Sequence, residues 1–195
     1  MVEQISNYLN KLKNTIENIN AKDIEQCAQI LIEAYKNNKN IFICGNGGSA
    51  STASHFAADI NKGVGYGFKK RFKIISLTDN MPTITAYTND VGYEIIFVEQ
   101  LKNFYNKGDI LIGISGSGNS KNVLNAIEFV NKNGGITIGW TGYDGGNLKK
   151  IVSHSVNTNI DDMQISEDMH IVFTHIMMKV LRKELLSGND CQDDR

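Results

Sequence analysis

Two pairs of residues suited to proton or metal chemistry lie far apart in the chain: His55 with Asp59, and Glu167 with His175. An imidazole and a carboxylate four residues apart share one face of a helix. That pairing serves general acid–base catalysis or metal ligation. Glu167 and His175 are eight apart, about 80° round an ideal helix, so both can lean toward one crevice if Glu167 lies near the helix start. Apolar residues surround His170 and His175, and a satisfied buried histidine is the simpler reading of His175 taken alone. His175 gains a function only if its helix docks over the one that carries His55. His154 reads as a surface residue rather than a ligand.

Anion-binding residues precede the first pair. Ile41-Phe-Ile-Cys44 reads as a short buried strand. Gly45-Asn46-Gly47-Gly48-Ser49 then permits a tight turn, and Ala-rich sequence from Ala50 favours helix. Strand, Gly/Ser loop and helix N-terminus in that order converge backbone N–H groups on an anion, and Ser49, Ser51 and Thr52 add hydroxyl donors. Gly45-x-Gly47-x-x-Ala50 also fits a dinucleotide fingerprint, with Asp79 after the next strand as a ribose partner. An ordinary strand–helix turn with a surface His/Asp pair is the third reading. The arrangement recurs seventy residues on: the strand 109–114 opens into Ser115-Gly116-Ser117-Gly118-Asn119-Ser120, then an amphipathic helix 121–133. Two such loops can face one crevice at the carboxyl edge of a parallel sheet.

The elements that must position these loops alternate. Strands are expected at 41–44, 72–77, 109–114, 136–141 and, as an edge strand, 154–160. Helices are expected at 50–62, from Pro82 to a break at Thr88–Gly92, at 93–106, at 121–133, briefly before 151, and at 164–186. Gly63–Gly67 reads as a flexible loop. This pattern predicts an α/β three-layer sandwich around a mainly parallel five-stranded sheet, as one domain over residues 1–195. Two N-terminal helices precede it, roughly 1–19 and 23–37. The first carries Ile5, Leu9, Leu12, Ile16 and Ile19 at heptad-like spacing, a seam that packs either on its own domain or between subunits. Residues 187–195 read as a frayed tail.

Composition agrees with a globular domain: 195 residues, 41% apolar and 21% charged. A formal charge of −1 gives no electrostatic footprint for nucleic acid. Cys27, Cys44 and Cys191 form no disulfide framework, which suits a reducing compartment. No run approaches a membrane span, and no signal-peptide core is visible near the N-terminus, so a cytoplasmic protein is expected.

Taken in order, Gly45-Asn-Gly-Gly-Ser49, His55-Phe-Ala-Ala-Asp59, Ser115-x-Ser117-Gly-Asn-Ser120 and Glu167-Asp-Met-His-x4-His175 resemble the sugar isomerase (SIS) domain family. Within it, the resemblance is to the phosphoheptose isomerases, and it covers nearly the whole chain. It implies a flavodoxin-like SIS fold and a homotetramer whose N-terminal helices help form the core, with active sites at subunit interfaces. It implies isomerisation of D-sedoheptulose 7-phosphate to D-glycero-D-manno-heptose 7-phosphate, toward lipopolysaccharide or capsule heptose. Carried over by position, Asn46, Gly47, Gly48, Ser49, Asn89 and Asp90 contact substrate, while Ser115, Gly116, Ser117 and Ser120 hold its phosphate. Asp59 and His175 are the expected catalytic pair, with Asp59 and Glu167 also on substrate. The family's metal ligands fall on His55, Asp59, Glu167 and His175, for one zinc per subunit. Two positions depart from the family pattern, Asp59 where Glu is usual and Glu167 where Gln is usual. Some SIS relatives of this size are non-catalytic sugar-phosphate-binding or replication-initiation partners, which is the alternative reading.

Overall fold

A computed structural model describes residues 1–187; residues 188–195, which hold Cys191 and all but the first residue of the expected frayed tail, lie outside the described residues. Five strands form one wholly parallel sheet: β1 (Asn40–Cys44), β2 (Lys73–Ser76), β3 (Ile110–Ser115), β4 (Ile136–Thr141) and β5 (His154–Asn157), in the order β2-β1-β3-β4-β5. Isoleucines pair across the centre, Ile41 beside Ile110 and Ile43 beside Ile112. Helices cover both faces, so the central strands are apolar at nearly every position.

The period of two in each strand sorts the core into two halves. Ile41, Ile43, Ile112 and Trp140 face α2 (Ala21–Lys36), α3 (Gly48–Ala58) and α8 (Met163–Ser187). Phe42, Cys44 and Leu111 face α5 (Ile96–Phe104), α6 (Lys121–Lys132) and α7 (Gly146–Ile151). Trp140 is fully buried and meets Phe56 of α3 and Phe173 of α8 edge-on, at 5.4 and 6.0 Å between ring centroids. Such pairs add about 0.5–1.5 kcal/mol each beyond the area they bury. One indole therefore fixes the two helices that carry His55 and His175.

Several elements differ locally from expectation. The helix after β1 begins at Gly48 and passes at Asp59 into a π-helical segment, Asp59–Val64, where the Gly65 N–H reaches back five residues to the Ile60 carbonyl at 2.9 Å. This segment takes in the start of the expected Gly63–Gly67 loop. Arg182 of α8 holds its C-terminal end, donating through Nη1 to the carbonyls of Gly63, Val64 and Tyr66. The helix α4 (Met81–Asp90) starts on an Asn80 cap with Pro82 in its first turn and runs through Asn89 and Asp90. It breaks only at Gly92, whose φ of +151° favours glycine. A 3₁₀ turn, Tyr93–Ile95, precedes α5, and β5 ends at Asn157, three residues short of the edge strand expected. The first helix, α1 (Val2–Glu17), is pinned to α8 by Tyr8 donating to Asp168 at 2.6 Å, and Lys11 bonds Asp162 at 2.8 Å. Leu12 and Ile19 pack partly on the core, whereas Ile5, Leu9 and Ile16 stay 55%, 57% and 45% exposed.

Candidate active site

Strand order sets where the site falls. From β1 the chain moves outward to β2, then returns to place β3 on the other side of β1. The carboxyl ends of β1 and β3 thus flank a topological switch point, where open α/β sheets bind ligands. Both Gly/Ser loops open there. In the first, Gly47 adopts φ +55°, and a Cβ on Gly48 would lie 2.6 Å from the Glu167 carboxylate. In the second, Gly118 has φ +66° and fits against the Gly145 carbonyl. The Ser120 hydroxyl makes no bond to the N-terminal turn of α6 and instead lies 3.0 Å from that of Ser115. Hydroxyls and N–H groups at the start of a helix are donors of the kind that bind anions in general. Asn46 bridges the loops: its Nδ2 donates to Asn122 Oδ1 at 2.9 Å, and Asn122 Nδ2 donates to Asn46 Oδ1 at 2.8 Å.

The titratable groups meet on the α3–α8 side. His55 and His175 bring their Nε2 atoms to 3.0 Å, with the rings edge-on at 75°. Asp59 Oδ2 lies 3.3 Å from His55 Nε2, buried and without a well-formed hydrogen bond. The three donor atoms fall within 4.8 Å of one another, all within one subunit. Glu167 stands elsewhere, on Gly48 at the opposite end of α3. The reason is geometric, since eight residues of helix separate it from His175 by about 12 Å along the axis. Ser49 is buried behind the first loop, while Asn89 bonds Asp90 at 2.8 Å on the exposed end of α4.

The donor set fits a metal ion. A tetrahedral ion with bonds of ~2.0–2.1 Å holds its ligand atoms ~3.3 Å apart, close to the 3.0 and 3.3 Å that separate His55 Nε2 from His175 and Asp59. The unpaired Asp59 Oδ2 is an acceptor that a cation would satisfy. Other reactive groups lie outside the site. Burial pushes the Cys27 thiol up to about 12 and raises Cys44 further, so neither is a nucleophile near neutral pH. Burial pushes His170 down to about 4; its ring faces the Thr141 backbone without a well-formed hydrogen bond. Half-buried His154 lies in β5 opposite Ile138. Asp79, the ribose partner of a dinucleotide reading, is engaged by the hydroxyls of Ser54 and Thr78. A polar cleft of about 740 Å³, lined in part by Asn14, Asn18, Lys149 and Asn157, shares no residue with this site.

Sequence reasoning passed over three residues that shape the site. Asn122 and Arg182 have only their hydrogen-bonding types to mark them, and Trp140 only its size. Their partners are 76, 119 and 84 or 33 positions away in sequence.

A fold with this strand order, two Gly/Ser loops at its switch point and a histidine-bearing closing helix defines a class, and the SIS domain model matches residues 7–142. A phosphoheptose isomerase of Helicobacter pylori is 39% identical over 178 residues, covering 91% of this chain and 92% of the relative. One from Nitratiruptor sp. is 38% identical over 186 residues, covering 93% and 98%. The phosphoheptose isomerase structure from Neisseria gonorrhoeae superposes with a TM-score of 0.86 at 28% identity, over 93% of this chain and 98% of that one. The chain belongs to the phosphoheptose isomerase family of SIS-domain proteins.

Proposed function

We propose that this protein is an isomerase that converts D-sedoheptulose 7-phosphate to D-glycero-D-manno-heptose 7-phosphate. The observation that carries the reading is the His55–Asp59–His175 cluster in a fold whose switch point holds two Gly/Ser loops. Moving a carbonyl from C2 to C1 of a ketose requires removing a proton from C1 and returning one to C2 through an enediolate. Asp59 is the base that takes the first proton, and His175, with an imidazole at its neighbour's edge, is the acid that completes the transfer. Ser115, Gly116, Ser117 and Ser120 grip the phosphate, far from the reacting carbons, and its binding energy holds those carbons in register. Asn46, Gly47, Gly48, Asn89, Asp90 and Glu167 line the path of the sugar between the two ends, with Ser49 supporting the first loop from behind. His55, Asp59 and His175 would hold zinc, one per subunit, which supplies polarisation of the carbonyl and hydroxyl oxygens when bound. A carboxylate ligand keeps a second oxygen, and an imidazole ligand its other ring nitrogen, for proton work.

The exposed Ile5, Leu9 and Ile16 support assembly through α1, which we read as a homotetramer. Among the described residues no helix is long and apolar enough to cross a membrane, and the buried free thiols of Cys27 and Cys44 support a reducing, cytoplasmic setting. The heptose product would feed a lipopolysaccharide or capsule sugar. The intact acid–imidazole cluster and the relatives' names disfavour a non-catalytic binding protein. Asp59→Asn and His175→Ala should each lower turnover at least about 100-fold while the thermal melt stays cooperative. Near-normal turnover in either variant removes that residue from the mechanism.

A further inference from the structure

The Asn46–Asn122 bridge has a fixed polarity. The Val123 backbone N–H, which can only donate, meets an Asn122 side-chain atom at 2.9 Å, so that atom is Oδ1. Asn122 must then present Nδ2 to Asn46 Oδ1, and Asn46 must present Nδ2 to Asn122 Oδ1. The Tyr93 hydroxyl donates to the same Asn46 Oδ1 at 2.8 Å. Both lone pairs of Asn46 Oδ1 are therefore used, while one of its two N–H bonds has no partner in this network. Asn122 is only 2% exposed, so water does not compete for the amide pair. Tyr93 is 47% exposed, directly after the Gly92 turn that ends the helix carrying Asn89 and Asp90.

We infer that Asn122 and Tyr93 are positioning residues: together they lock Asn46 as a donor-only group between the two loops, selecting an acceptor oxygen of the sugar phosphate. A freely rotating amide could offer its oxygen to a ligand hydroxyl as readily as its N–H to an acceptor. Here that choice is made in advance, from the α6 backbone. The device joins three segments (the first loop, the turn after α4 and the first turn of α6), so the two loops keep their register before ligand arrives. This inference rests on the isomerase reading for its ligand, though not for its geometry.

A mutant cycle tests it, read by calorimetry with the heptitol 7-phosphate made by reducing the ketose, and by kinetics with the ketose itself. Tyr93→Phe should weaken analogue binding and raise KM about three- to tenfold, the range for one hydrogen bond, with kcat changed less than twofold. In an Asn46→Ala background the same substitution should change neither quantity. Because Asn122 is buried and alanine there can unfold the chain, Asn122→Ala is read only with a cooperative melt and should weaken binding at least as much. An unchanged dissociation constant in Tyr93→Phe overturns the inference. So does an equal loss in the Asn46→Ala background, which would mean that Tyr93 touches the ligand directly. Wild-type protein that binds the analogue but leaves the ketose unconverted strikes the isomerase reading alone, and the binding cycle still decides the inference. Wild-type protein that does not bind the analogue overturns both.

Discussion

At the residue scale, single atoms decide what the site can do. Asp59 Oδ2 is buried without a well-formed hydrogen bond, which leaves it free for a proton or a cation. Stripping the protein of metal with a chelator should lower its melting temperature if His55, Asp59 and His175 hold an ion, because an ion bound to the native state alone stabilises it. An Asp59→Asn/His175→Ala double variant should show no such drop, and an equal drop there would assign the ion to other ligands. Gly118 is a second such point. A Cβ there would lie 2.1 Å from the Gly145 carbonyl at a φ that alanine disfavours, so Gly118→Ala should destabilise by about 1–3 kcal/mol in denaturant titration. His170 predicts a pH effect whose sign follows from its buried neutral ring. Its native value of about 4 lies below the ordinary 6.5. Between those values the unfolded chain takes up a proton that the native ring refuses, so stability is full above pH 6.5 and falls toward pH 4, by ~3 kcal/mol. Melting temperature followed over that range should fall less in His170→Leu than in wild type. An equal slope in both would assign the loss to other groups.

At the element scale, much of the site was legible because its signals are local. Apolar runs marked the strands, Gly/Ser clusters marked the loops, and the spacing of His55 and Asp59 put them on one helix face. Pro82 marked the start of α4. What was not legible depends on partners distant in sequence. The π-helical segment that starts at Asp59 is held at its end by Arg182, and the placing of Glu167 against Gly48 depends on where α8 crosses α3. The crossing itself is fixed by Trp140 between Phe56 and Phe173. Trp140→Ala should destabilise by about 3–5 kcal/mol and, in material that still folds, lower turnover by spreading the His55–His175 pair. A folded variant with unchanged turnover would mean that the two helices hold their crossing without the indole.

At the scale of the whole molecule, the all-parallel sheet gathers two loops and two helices from widely separated segments onto one edge. The leftover feature is α1, tied to α8 by Tyr8 and to Asp162 just before α8 by Lys11, while its outer seam stays open to solvent. If α1 forms the proposed subunit interface, Leu9→Asp should lower the light-scattering mass, and an unchanged mass would move the interface elsewhere. The most direct test of the account is a proton NMR time course of metal-analysed protein with D-sedoheptulose 7-phosphate. An aldose anomeric signal from a heptose 7-phosphate should grow in with wild type and fail to grow with Asp59→Asn. A ketose spectrum left unchanged by metal-loaded wild type, or conversion by Asp59→Asn at the wild-type rate, would contradict it.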